Sequence, residues 1–282
     1  MITVFTPTYN RAHLLSRVFD SLKKQTHHHF EWIIVDDGSE DDTKEVVQNF
    51  IKENTPFKIH YYHQKNQGKH IAINHAITKA NGEYLLVCDS DDYLEPQCIE
   101  TVYQLISKIK DKQDFSGVAY IRYSDKINYD ERKYNNKVWE GTTTPYYDWE
   151  FHGEFQIVYK TSILKKFMFP VFSGEKFCRE SLIHRRLRRA GYQVLYSNYV
   201  LAHGDYLEEG LTQNFNKALY GSPRYSLLYI KEMIIDEKNT KAKLQLAKQY
   251  YNLIRQHKKY WYKLLELPFS LHLKMIISRF KR

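Results

Sequence analysis

A chain of 282 residues with 42 Lys and Arg against 33 Asp and Glu carries a formal charge of +9. Its 43% hydrophobic and 27% charged residues exclude a disordered or fibrous polymer and fit one globular domain with an appendage. No run of about 18 apolar residues offers a membrane span, and the opening MITVFTPTYNRAHLL lacks the basic and apolar regions of a signal peptide.

Taken in chain order, short apolar runs alternate with amphipathic stretches. Ile2 to Thr6 reads as a buried strand, and Ala12 to Lys24 as a helix with Leu14, Leu15, Val18, Phe19 and Leu22 at helical spacing. Trp32 to Val35 is a second strand, Asp42 to Lys52 a second helix, Lys58 to Tyr62 a third strand, Lys69 to Ala80 a third helix, and Tyr84 to Cys88 a fourth strand. Continuous apolar strands separated by helices predict an α/β fold: a Rossmann-like, mostly parallel sheet flanked by helices. In such a sheet, ligands sit beyond the carboxyl ends of the strands. A helix follows Pro96, Gly117 to Tyr123 reads as a strand, and Tyr129 to Tyr159 as a loop-dominated wall. Leu182 to Arg189 is helical and stops before Gly191, and the chain from Ser226 onward reads as helical. The expected division is a domain over residues 1–215, with halves at 1–110 and 111–215, and a C-terminal helical extension over 216–282. Cys88, Cys98 and Cys178 have neither metal nor disulfide spacing and read as reduced structural thiols of a cytoplasmic protein.

Three polar clusters fall directly after strands: Thr6-Pro7-Thr8-Tyr9-Asn10-Arg11, Asp36-Asp37-Gly38-Ser39 and Asp89-Ser90-Asp91-Asp92. One such cluster is an ordinary turn; three at consecutive carboxyl ends point to a ligand. Carboxylates crowded at Asp89, Asp91 and Asp92 repel one another unless a cation neutralises them, and hard oxygen ligands suit Mg²⁺ or Mn²⁺. The glycine-rich phosphate loops of other nucleotide-binding proteins are absent from the sequence. His203, after an apolar run, reads either as a metal or diphosphate contact or as a structural histidine. His27, His28 and His29 read as a solvated loop.

PTYNR at 7–11, VDDGSEDDT at 35–43, NQGKHIAIN at 66–74 and GEYLLVCDSDD at 82–92 resemble the motifs of family 2 glycosyltransferases with the GT-A fold. The resemblance covers roughly the first 110 residues and implies a nucleotide-sugar donor, a UDP-sugar foremost. It places Pro7, Tyr9 and Arg11 at the nucleoside, Asp37 on the base edge, Gly68 and Lys69 beside the donor, and Asp89 near the ribose and sugar. Asp91 or Asp92 would then ligate Mn²⁺ or Mg²⁺, and Thr6, Thr8, Asp36 and Ser90 join the donor set through the same clusters. The resemblance also implies inversion, which requires a general base from the second half near a helix start. Glu180 is the candidate, with Glu175 next and Asp148 and Glu150 behind them. Many relatives have Glu-Asp where this chain has Glu180-Ser181, so the choice between Glu180 and Glu175 stays open at this point. The acceptor would be a glycan or a polyprenyl-diphosphate-linked sugar. A sugar-phosphate nucleotidylyltransferase and an inactive nucleotide-sugar-binding protein are the alternatives.

The arginines Arg185, Arg186, Arg188 and Arg189 read as a solvated helix face. Lys258-Lys259-Tyr260-Trp261-Tyr262-Lys263 and the basic end of the chain suit peripheral contact with an anionic membrane, or else a packed subdomain or oligomer contact. No nucleic-acid partner is expected.

Overall fold

The computed structural model describes residues 1–124, 137–142, 154–204, 215–268 and 271. Its first half is a parallel sheet of β1 (Ile2–Thr8), β2 (Phe30–Asp36), β3 (Lys58–His63) and β4 (Tyr84–Val87), ordered β3-β2-β1-β4. Helices α1 (Ala12–Lys23), α2 (Thr43–Lys52) and α3 (Lys69–Lys79) make the crossovers. Alternation along the strands decides which side each helix covers. Val4, Trp32 and Ile34 face Leu15, Val18, Leu22 and Val47 of α1 and α2. Phe5, Ile33 and Val35 face Ala72, Ile73, Ala76 and Ile77 of α3. Both faces are dry, which is why these strands read as unbroken apolar runs.

The second half is mixed. It adds β5 (Asp92–Leu94), α4 (Cys98–Ser107), β6 (Phe115–Tyr123), β7 (Val138–Thr142) and β8 (Glu154–Lys160), then α5 (Thr161–Leu164), α6 (Ser181–Arg189) and β9 (Gln193–Gly204). The sheet continues from β4 as β8-β6-β9-β5, with β7 also on β9. Of these pairings only β6–β9 is parallel. The expectation of a loop over 129–159 is corrected at two places, β7 and β8. In EFQIVYK, Ile157, Val158 and Tyr159 are buried in succession, so no clean alternation marks the strand. Asp148 and Glu150 lie outside the described residues.

Beyond β9 come α7 (Phe215–Gly221), α8 (Pro223–Asp236), α9 (Thr240–Gln256) and a 3₁₀ segment over Lys258–Glu266. Helix α8 has two apolar faces. Tyr225 and Tyr229 join the core beneath α3 and α6, while Leu227 and Ile234 pack with Ala247, Tyr250 and Leu253 of α9. The boundary expected at 215/216 therefore falls ahead of a helix that both units share. No helix among the described residues is long and apolar enough to cross a membrane. Cys88, Cys98 and Cys178 are free and buried.

Candidate active site

The carboxyl ends of β1 and β2 are sewn together by short polar contacts. Asn10, at φ 51°, takes Glu40 N on its Oδ1 at 2.8 Å, and its own N–H reaches Ser39 Oγ at 2.8 Å. Ala12 N donates to Asp41 Oδ2 at 2.9 Å. These bonds fix a rim on which Tyr9 stands 46% exposed. The strand residues below it divide by pleat. Thr6 is fully buried, and its hydroxyl accepts from Trp32 Nε1 at 2.9 Å. Pro7 is buried, and Thr8 Oγ1 is a buried hydroxyl without a hydrogen-bond partner.

Successive residues at the end of β2 also point opposite ways. Asp36 is 1% exposed; it accepts from Ser39 N at 2.8 Å and from the Tyr61 hydroxyl at 2.6 Å. Both oxygens thus hold the turn and β3. Asp37 faces the 64–68 loop, where Oδ1 takes Gln64 Nε2 at 2.8 Å and Gln67 N at 2.9 Å and Oδ2 takes Gly68 N at 2.7 Å. That loop needs Gly68, whose φ of 94° favours glycine and whose added Cβ would stand 1.8 Å from the Lys176 carbonyl oxygen. The donor-side loop thus lies directly against the segment leading to α6.

At the end of β4 the carboxylates separate by role. Asp92 is 3% exposed and gripped by Arg122, with Nη2 at 2.6 Å and Nε at 2.8 Å from its oxygens. Burial opposes the Arg122 charge, but the bonds and charge of Asp92 outweigh it and raise the guanidinium's pKa. Asp92 therefore ties β5 to β6 through Arg122. Asp91 keeps partial exposure. Arg11 Nη1 lies 3.3 Å from its Oδ2 and 3.1 Å from Ser90 Oγ, while Arg17 donates to its backbone oxygen. Asp89 Oδ2 takes Lys69 Nζ at 2.7 Å, and Asp89 Oδ1 is buried without a hydrogen-bond partner. Burial pushes the Asp89 carboxyl up, yet the charge and hydrogen bond of Lys69, together with the charges of Arg122 and Arg11, offset this and leave it below the ordinary carboxylate value.

The same Lys69 Nζ lies 2.7 Å from Glu180 Oε1. Burial disfavours its charge, but the two carboxylates outweigh that and raise the ammonium's pKa. One cation from the start of α3 thereby joins the donor-side cluster to the residue that opens α6. Glu175 has another task. Only 7% exposed, it accepts from the backbone N–H groups of Arg224 (2.9 Å) and Tyr225 (3.2 Å) and from Arg224 Nε (2.9 Å). A carboxylate at the open N–H groups of a helix start satisfies them and meets the positive end of the helix dipole. Glu175 is therefore the cap of α8. His203 is held by Glu95, Nε2 to Oε1 at 2.6 Å, and stacks on Tyr93 at 5.1 Å. His27 and His29 pack against Tyr103 at the opposite end of the strands.

Several residues of this neighbourhood were not legible in sequence. Arg122 and Arg17 act on the carboxylate cluster from far along the chain. The arginines of α6, expected on a solvated face, are stapled to α8: Arg186 Nη2 to Glu232 at 2.7 Å, Arg189 Nη2 to Asp236 at 2.9 Å and Arg185 Nη1 to Asp236 at 3.2 Å. The Tyr229 hydroxyl meets Ser181 Oγ at 2.9 Å, one residue past Glu180. An acidic pair at 232 and 236, one helical turn apart, was the available signal.

The model of glycosyl transferase family 2 matches residues 3–172. Over 203 residues the chain is 30% identical to glycosyltransferase GlyG of Streptococcus pneumoniae, covering 66% of this chain and 64% of that one. It thus spans a little under two thirds of that relative's length. Among solved structures it is similar to S. aureus TarS 1–349 in complex with UDP-GlcNAc, with TM-score 0.62, 18% identity, and 98% and 79% of the two chains covered. It is also similar to the mannosyltransferase PcManGT of Pyrobaculum calidifontis in complex with GDP-Man and Mn²⁺, with TM-score 0.59, 17% identity, and 99% and 79% covered. At such identity the likeness to solved structures speaks for the fold. The family model over more than half of the chain and the sheet topology together give its affiliation: this chain belongs to glycosyl transferase family 2 and has the GT-A fold.

Proposed function

We propose that the chain transfers a sugar, with inversion, from a nucleotide-diphosphate donor to a glycan or polyprenyl-diphosphate-linked acceptor. The observation that carries this reading is the Asp89–Lys69–Glu180 bridge, because it places the candidate base within one side chain's reach of the donor-side carboxylates. Pro7, Thr8, Tyr9, Arg11 and Asp37 would form the nucleoside end, with Tyr9 free to stack on a base. Gly68, Lys69, Asp89 and Ser90 would lie along the sugar diphosphate. A UDP-sugar, hexosyl or N-acetylhexosaminyl, fits the likeness to a UDP-GlcNAc-bound neighbour.

The residues also fit a divalent cation. Asp91 is partly exposed, and Asp89 retains a buried oxygen with no hydrogen-bond partner. Among the described residues no three His, Cys, Asp or Glu side chains enclose an ion, so Mn²⁺ or Mg²⁺ would be held through one or two carboxylates plus donor phosphates and water. Such an ion would supply neutralisation of the departing diphosphate. Glu180, bound to Lys69 through one oxygen, has a second to take the proton of the acceptor hydroxyl. The acceptor oxygen then bonds to the anomeric carbon as the bond to the diphosphate breaks on the opposite face, and the diphosphate leaves with that electron pair.

The test is a screen of UDP-, GDP-, dTDP- and CDP-sugars for binding and slow hydrolysis, each with Mn²⁺, Mg²⁺ or EDTA. Binding of one donor that needs metal, fails in Asp91→Ala and persists without turnover in Glu180→Gln is the expected result. No nucleotide binding under any condition would overturn the reading.

A further inference from the structure

The 3₁₀ segment after α9 exposes side chains that a water-facing surface rarely groups together. Trp261 is 65% exposed, Tyr262 46% and Leu265 82%. They are three of the few large apolar side chains this exposed among the described residues, and they fall within five positions of one another. The segment is not loose: Tyr260 is buried against the α8–α9 core, its N–H donates to His257 O, and Leu267 closes the far end. Glu266 holds Lys231 at 2.8 Å and also Lys263, which fixes the segment onto α8. The apolar residues are therefore presented by a braced platform.

The charges around them have one sign. Arg255, Lys258 and Lys259, exposed and two to six residues ahead of Trp261 in sequence, have no carboxylate within ion-pair distance among the described residues. The one acid of residues 255–267, Glu266, is already shared between Lys231 and Lys263. After Glu266 the sequence contains no further acidic residue, while Lys274, Arg279, Lys281 and Arg282 follow. A protein partner burying Trp261 and Leu265 would need acidic groups at its rim. A bilayer with anionic headgroups supplies both requirements in one surface: acyl boundary for Trp, Tyr and Leu, and negative charge for the cations.

We propose that Arg255, Lys258, Lys259, Trp261, Tyr262 and Leu265 form a docking surface for an anionic phospholipid bilayer. The docking itself does not rest on the transfer reading, because it needs neither donor nor metal.

The experiment is co-sedimentation of the full chain with vesicles of phosphatidylcholine alone, or of phosphatidylcholine and phosphatidylglycerol at about 2:1, at low and raised salt. The expected result is binding to the anionic vesicles that weakens with salt, and little binding to neutral ones. Trp261→Ser/Leu265→Ser and Lys258→Glu/Lys259→Glu should each weaken it by about tenfold or more. Ile235→Ser, at an exposed apolar residue of α8, should bind as the natural chain does. All the substituted side chains are exposed, so unchanged thermal melts separate docking from folding, and the two double variants test the surface independently. Three results would overturn the proposal: no anionic-vesicle binding, binding indifferent to Trp261 and Leu265, or equal binding to an unrelated DNA duplex. A dimer in sedimentation that the apolar double variant dissociates would overturn it too, by assigning the patch to a second copy.

Discussion

Lys69 is the residue on which the two sides of the site meet, with one ammonium held 2.7 Å from each of two carboxylates. Removing it leaves Asp89 and Glu180 as neighbouring like charges, which repel. Lys69→Met should lower turnover by about a hundredfold, the scale of a misplaced reacting group, and Lys69→Arg should recover part of it; donor turnover beside donor binding measures both. Gly68 is the second fixed point. Gly68→Ala forces a side chain into a φ of 94° and into the Lys176 carbonyl, and should destabilise the fold by about 3 kcal/mol, read in urea unfolding. At this scale the sequence displayed the acidic clusters but not their division of labour. Asp89, Asp91 and Asp92 are alike in sequence, and what separates them is the reach of Lys69, Arg11 and Arg122 from other elements. Asp36 and Asp37 are separated by pleat alone. Sequence put Glu180 ahead of Glu175, but the start of α8 that occupies Glu175 is brought to it only by the folded chain.

Among the elements, α8 has the largest effect on the site for a helix that contributes no residue to it. Glu175 caps its start, Tyr229 touches Ser181 in its middle, and Glu232 and Asp236 bind the α6 arginines at its end. It lies along the 170–189 segment as a splint. Glu175→Ala leaves the first N–H groups of α8 unsatisfied and should lower stability by about 1–3 kcal/mol. Its transfer rate should fall further than its donor binding, because the donor side is built from β1 to β4; calorimetric donor binding beside turnover resolves the two. The helices and strands of the first half were legible because each completes its own periodic pattern between turn signals. Strands β7 and β8 were not, since their pairing is with β9, β6 and β4, far along the chain.

The whole molecule joins a parallel half, ordered β3-β2-β1-β4, to a mixed half in which only the β6–β9 pairing is parallel. His70 sits where the halves and α8 converge, 1% exposed and edge-on to Phe169 and Tyr225. Burial lowers its pKa to about 4. In the unfolded chain the ring protonates near its ordinary value of 6.5, whereas in the fold it resists protonation. The stabilisation this gives is complete above about pH 6.5 and is lost as pH falls toward 4, a difference of about 2.5 units or roughly 3 kcal/mol. Urea midpoints between pH 7 and 4 should show that loss, and His70→Phe should reduce it without abolishing it, because burial lowers His184 to about 4 as well.

The capping of α8 by Glu175 also bears on how such enzymes can be recombined. The family match ends at residue 172, just before the capping glutamate. A chimera cut there and finished with a relative's sequence through 200 would import a foreign α6 onto a native α8, with neither the cap nor the arginine staples matched. A cut at about residue 170 that carries the relative's sequence on through α9 keeps the cap, the arginine staples and the α8–α9 core matched. Swaps made there should give folded hybrids whose acceptor preference follows the source of the exchanged part.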